Sequence, residues 1–169
     1  TLLTPEKHYL EWKNDGFAEF ENERSETDII IEEKCENIAG KLYSQIYAMF
    51  YKKRFLDLIH NFVVFDKGIK KVCRYNQYYA IKRTQNRLVQ RKDGGIIWHT
   101  QGSGKSYSML FLACKIRRKF AGSPTIVILT DREELNKQIS DTFENCGVLG
   151  NVKAKSFIAS SGDDLITKL

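Results

Sequence analysis

The chain has 169 residues, of which 42% are hydrophobic and 28% charged. That balance excludes a disordered polymer, and 2 prolines with no repeat at a solenoid period exclude fibrous and solenoid architectures. The net charge of +6 is uneven: residues 1–40 carry 4 basic and 11 acidic side chains, residues 41–93 carry 13 and 3, and residues 94–169 carry 10 and 7. An acidic start before a basic middle points to an anionic partner, nucleic acid first, although two solvated faces of opposite sign explain it as simply.

In chain order, Thr4-Pro5-Glu6 has the form of a helix start, with Thr4 as cap, Pro5 in the first turn and Glu6 favouring the dipole. Asn14 to Asp28 is acidic and poor in aliphatics, as in a surface loop. Ile29-Ile30-Ile31-Glu32-Glu33-Lys34 imitates a nuclease strand ending in E-x-K, but without a preceding partner Asp it is better read as the start of a helix. Ile38, Leu42, Ile46, Met49 and Phe50 fall on one helical face, and Phe55, Leu56, Leu58, Ile59 and Phe62 continue as a second helix. Lys52-Lys53-Arg54 between them reads as an exposed helix end. Phe62-Val63-Val64-Phe65 is a short apolar run closed by the turn signal Asp66-Lys67-Gly68.

Residues 69–91 read as one basic helix with interleaved aromatics, broken by Asp93-Gly94-Gly95. The pattern then alternates. Ile96-Ile97-Trp98-His99 is predicted as a strand, Lys105 to Phe120 as a helix, Gly122-Ser123-Pro124 as a turn and Thr125 to Leu129 as a buried strand. A helix capped by Asp131, with Glu134 placed for a capping box, follows and ends near Asn145-Cys146-Gly147. Val152 to Phe157 is a third, weaker strand, and Ser161 caps a last helix. Apolar strands alternating with helices predict an α/β fold with a parallel sheet covered on both faces.

The four cysteines, Cys35, Cys73, Cys114 and Cys146, are too widely spaced for a zinc site and read as buried reduced thiols, which suits the cytoplasm. No apolar run approaches a membrane span, and no secretion signal opens the chain. Thr1 and Leu169 both read as cuts, so a piece of a larger protein is expected.

The chemistry is concentrated in His99-Thr100-Gln101-Gly102-Ser103-Gly104-Lys105-Ser106, between the first predicted strand and its helix. A phosphate loop follows G-x-x-x-x-G-K-[ST]. Gly104-Lys105-Ser106 supplies its end, and His99 stands where its first glycine would be. Gly102 and Gly104 let the backbone turn successive N–H groups toward phosphate oxygens, and the helix that starts there adds its positive end. Lys105 is placed to reach the β- and γ-phosphates of ATP, and Ser106 to offer a hydroxyl to Mg²⁺. Thr100, Gln101 and Ser103 complete the loop.

Ile97 to Ser106 resembles motif I of the motor subunit of type I restriction–modification enzymes, a family similar to superfamily 2 helicases, in which motif I commonly lacks the first glycine. Leu129-Thr130-Asp131-Arg132-Glu133-Glu134-Leu135 with Gln138 resembles motif Ia. Arg74-Tyr75-Asn76-Gln77-Tyr78-Tyr79-Ala80 resembles the adenine-reading segment upstream of motif I. Asn61 to Phe65, and Thr4-Pro5 with Leu10 to Lys13, resemble the connecting region before the motor. The resemblance implies a RecA-like lobe over 69–169, truncated before its Walker B strand and preceded by a mainly helical connector over 1–68. It implies an ATP- and Mg²⁺-dependent motor that translocates and cleaves double-stranded DNA, with methylation and specificity subunits as partners in a prokaryotic cytoplasm. Carried over by position, Gln77 pairs with adenine, Arg74 is its weaker companion, Thr130 and Arg132 face the DNA backbone, and Lys105 and Ser106 hold phosphate and Mg²⁺. The nuclease carboxylates of that family lie upstream of Glu32, so Glu32 and Lys34 are not assigned to it. Two rivals remain at this level: a P-loop phosphotransferase, which would need an arginine lid and an acceptor site, and a non-enzymatic nucleic-acid-binding module built on the basic middle.

Overall fold

The computed structural model describes residues 26–38 and 40–169. The expectations for Thr4, Pro5, Glu6, Leu10 to Lys13 and most of the acidic stretch fall outside the described residues. The chain divides into two compact units. One comprises the described residues up to Phe62 together with Cys73–Trp98; the other comprises Val63–Val72 together with His99–Leu169.

In the first unit, α1 (Glu26–Glu36), α2 (Lys41–Phe50), α3 (Lys52–Asn61) and α4 (Tyr75–Gln90) surround a small aromatic core. Glu32 and Lys34 lie on α1, so the E-x-K triplet is helical, as the helix reading expected. Of the shared apolar face on α2, Leu42, Ile46 and Phe50 are exposed and Met49 is half-buried, while Ala48 is buried. Tyr51 (φ −54°, ψ 124°) separates α2 from α3, so the second apolar run forms its own helix, as expected. The reading of Lys52-Lys53-Arg54 as an exposed helix end holds for the two lysines and not for the arginine. Lys52 and Lys53 are exposed, but Arg54 is only 1% exposed. Its guanidinium lies 5.5 Å from the ring centres of both Tyr78 and Tyr79, and its Nη1 donates to the Ala48 carbonyl at 3.3 Å. A planar, weakly hydrated cation stacks on aromatic faces, which is how the charge is accommodated inside. Phe62 closes the core against Tyr78, with ring centres 4.9 Å apart.

The second unit contains β1 (Val63–Asp66), β2 (Ile69–Val72), α5 (Lys105–Lys119), α6 (Glu133–Asn145), a 3₁₀ turn (Ala154–Phe157) and α7 (Gly162–Lys168). Strands β1 and β2 form an antiparallel hairpin with Val63 opposite Val72 and Asp66 opposite Ile69. The turn at Asp66-Lys67-Gly68 is as expected, but Ile69–Val72 is the return strand rather than the start of a basic helix. The two-residue loop explains this. Lys67 (φ 50°) and Gly68 (φ 81°) both take positive φ, the conformation that matches hairpin twist. The core of this unit is Leu110, Phe111 and Ala113 of α5 against Ile139 and Phe143 of α6.

The parallel sheet expected from three apolar runs is not formed. Among the described residues the hairpin is the only ladder. Ile96–His99 and Thr125–Leu129 run without regular structure, with Ile96, Trp98 and Leu129 about nine-tenths exposed. A strand exists only through its neighbours' hydrogen bonds, and neither segment has one here. The third run is a 3₁₀ turn because the Glu144 carboxylate takes the Ala154 N–H (2.9 Å), a donor that a ladder would have used. Thr125–Thr130 and Ser156–Ala159 line a cleft of about 660 Å³, to which none of residues 99–106 contributes. The α5 and α7 boundaries agree with the sequence, and Ser161 caps α7 by accepting the Asp164 N–H at 3.1 Å. The cap of α6 differs: Arg132, not Asp131, is the N-cap residue, with no side-chain cap bond.

Candidate phosphate-binding loop

The loop from His99 to Ser106 opens directly into α5, a 15-residue helix with Gly104 as its N-cap. Gly102 (φ 76°) and Gly104 (φ 83°, ψ 41°) are both left-handed, which only glycine adopts without strain. A Cβ at Gly102 would meet nothing within 4 Å, so its backbone angle rather than crowding calls for glycine. The Ser103 N–H closes the turn on the Thr100 carbonyl at 3.3 Å, and Ser103 is buried while Thr100 and Gln101 are exposed. The first N–H groups of a helix have no acceptor inside it, so the start of α5 is an anion-seeking end.

Lys105, the first residue of α5, is exposed, and its Nζ donates to the carbonyls of His99 (3.2 Å) and Thr100 (3.0 Å). The lysine therefore folds back over its own loop. Ser106 follows at the next position, half-buried. His99 is held below the usual imidazole pKa, first by burial and then by the Lys105 charge, so it is neutral at pH 7 and adds no cation to the loop. The residues fit a polyphosphate: two left-handed glycines, a helix start and an exposed ammonium converge within eight residues. They also fit its magnesium, through the hydroxyl of Ser106.

The other expected site residues lie elsewhere. Gln77 and Arg74 belong to the first unit, at the start of α4. Gln77 is buried, and its Oε1 accepts the Arg74 backbone N–H at 2.8 Å, which makes it part of the helix cap. Arg74 is the exposed N-cap residue. Thr130 lines the cleft beside the apolar run. Arg132 precedes α6 and points outward, its Nε 3.5 Å from the Asp131 carboxylate, with both side chains at least three-quarters exposed. The sequence reading missed one pair. Tyr107, on the first turn of α5, donates its phenol proton to Asp66 at the end of β1. The signal was present in the two-residue Lys67-Gly68 loop between alternating runs, which identifies the hairpin that presents Asp66.

The SWI2/SNF2 ATPase family matches residues 76–169, more than half of the sequence and all of the loop. The chain belongs to the SWI2/SNF2 ATPase family. Among curated proteins, it is 36% identical to the type I restriction enzyme HindI endonuclease subunit of Haemophilus influenzae, over 69% of this chain and 12% of that protein. A Methanocaldococcus jannaschii protein provisionally named as the MjaIXP type I restriction enzyme endonuclease subunit is 29% identical, over 78% of this chain and 14% of its own length. A second from that organism, provisionally MjaVIIIP, is 34% identical over 60% of this chain and 11% of its own length. The resemblance read from residues 97–106 is thus met by proteins named as restriction subunits. The chain spans about an eighth of the length of these relatives. No solved structure matches it. No described helix is long and apolar enough to cross a membrane.

Proposed function

We propose that this chain is the nucleotide-binding part of a type I restriction endonuclease motor subunit, with 1–68 as a connector and 69–169 as part of the first RecA-like lobe. The observation that carries the reading is the loop: Gly102 and Gly104 in left-handed geometry deliver Lys105 and Ser106 at the start of a 15-residue helix, in an ATPase family. Lys105, now on two loop carbonyls, would hold the β- and γ-phosphates of a bound nucleotide, and Ser106 would hold its Mg²⁺. The metal supplies charge neutralisation at the phosphates when bound. Thr100, Gln101, Gly102, Ser103 and Gly104 shape the cradle.

Gln77 reads the adenine edge as a paired donor and acceptor. Arg74 assists it, and Thr130 and Arg132 contact the backbone of double-stranded DNA. In the longer, cytoplasmic protein, working with methylation and specificity subunits, ATP hydrolysis drives DNA translocation and cleavage. Replacing Lys105 by Ala in the full enzyme is expected to abolish DNA-stimulated ATPase and translocation. Unchanged ATP turnover would refute the reading, and nucleotide turnover indifferent to DNA would favour a phosphotransferase instead.

A further inference from the structure

Gly104, the N-cap residue of α5, has no side chain to cap it, and the Lys105 ammonium that ties the first turn to the His99 and Thr100 carbonyls is the group a bound phosphate would draw away. That turn carries Lys105, Ser106 and Tyr107. The Tyr107 hydroxyl donates to a carboxylate oxygen of Asp66, 41 residues away in sequence. Asp66 ends β1, and the next residue, Lys67, donates its backbone N–H to the carbonyl of Asn145 at the end of α6, at 3.4 Å. Strand β1 packs on α6, and α6 packs on α5. The first turn of α5 is therefore one corner of a closed circuit: Tyr107 to Asp66, Lys67 to Asn145, and α6 back to α5.

We propose that Tyr107 and Asp66 are positioning residues for the phosphate loop, holding the first turn of α5 so that Lys105 and Ser106 meet a bound triphosphate already aligned. The inference rests on the nucleotide-binding reading above and adds the hairpin to that site. Tyr107 follows Ser106 directly on a rigid helix, so any tilt of the turn that moves one moves the other. The phenol is a sound donor for this purpose. Burial, the Asp66 bond and the nearby Asp66 and Cys146 charges hold its pKa above the usual tyrosine value, and it stays protonated across neutral pH.

The test uses the intact motor protein and two probes, Mg-ATP and Mg-tripolyphosphate, which has no base or sugar. Tyr107→Phe and Asp66→Ala are each expected to weaken both probes by about five- to tenfold, the effect of one ordinary hydrogen bond, because the tie acts on the phosphates only through the turn. The double variant should be no weaker than either single, because both remove the same tie. Asp66→Asn keeps an acceptor and should recover part of the affinity, a rescue that general loosening of the fold would not give. Additive losses, a loss for ATP with tripolyphosphate unchanged, an Asn variant as weak as Ala, or unchanged affinities would each overturn the proposal. If the parent protein binds neither probe, the nucleotide reading itself fails and takes this one with it; a parent that binds both with Tyr107→Phe unaffected removes only the positioning role.

Discussion

Lys67 stands at a position that its own chemistry does not suit, and replacing it by Asn is expected to stabilise the protein. Its φ of 50° is left-handed, where an L-residue with a long side chain loses about 1–2 kcal/mol relative to the right-handed well. Asn tolerates that conformation several-fold better and, followed by Gly68, makes the preferred two-residue hairpin loop. Recovering about half the penalty gives about 0.5–1 kcal/mol. The backbone N–H of residue 67 still reaches the Asn145 carbonyl, so that bond survives the change. Losing a cation near the C-terminal end of α6 subtracts about 0.3 kcal/mol. The net gain of about 0.5 kcal/mol corresponds to a midpoint about 0.2–0.3 M higher in urea, at a slope near 2 kcal/mol/M. Lys71→Asn is the control. Lys71 is also exposed and basic, but it lies in β2, where Asn is a poor strand former, so it should lower the midpoint. If both variants shift it in the same direction, relief of charge repulsion and not backbone strain is responsible, and the argument fails.

Two further tests concern titrating groups in the second unit. The Glu144 carboxylate accepts the Ala154 N–H (2.9 Å) and the Lys153 ammonium (3.0 Å), and these bonds hold its pKa below the usual glutamate value. A depressed folded-state pKa means the tie is intact above the unfolded value and is lost as pH falls through the folded one. Hydrogen exchange at the Ala154 amide should therefore speed up, beyond its intrinsic rate, only below the ordinary glutamate range near about 4.3, and Glu144→Gln should flatten that dependence; an amide that loosens at or above that range would contradict it. The Cys146 thiol is pushed up to about 11 by burial, then by Asp66 and Cys114. At pH 8, alkylation of Cys146 by iodoacetamide in the native state should be slower than that of a free thiol by about a hundredfold, since the thiolate is the nucleophile. Rates within a factor of a few of the denatured protein would refute the burial argument.

What was legible in the sequence, and what was not, divides along a physical line. Local chemistry read correctly at the loop and at α7, though not at α6, where Arg132 and not Asp131 is the N-cap residue. Gly-x-Gly-Lys-Ser demands positive φ at two places and a helix immediately after, and both are present at Gly102, Gly104 and Lys105. Ser161 caps α7 for the same reason, since a hydroxyl finds a first-turn N–H three residues on. Properties that depend on distant partners did not read. Ile96–His99 and Thr125–Leu129 are strand-like in composition, yet a strand needs a ladder that composition cannot supply, and Ala154 had its donor taken by Glu144. Arg54 looked like surface because its neighbours in sequence are lysines; its neighbours in space are Tyr78 and Tyr79. Gln77 carries both kinds of information at once. Its place in the motif is the ground for proposing it as an adenine reader, while its side-chain oxygen caps the helix on which it sits, so the buried amide is oriented by a backbone N–H. The basic middle of the chain divides the same way: Arg54 stacks on aromatics inside the first unit, Lys82 pairs with Asp57 at 3.5 Å, and Lys67 closes a turn. Some of the charge that first suggested a nucleic-acid surface is thus committed within the two units, and the start of α5, with Lys105 exposed beside it, is the end we propose for a phosphate.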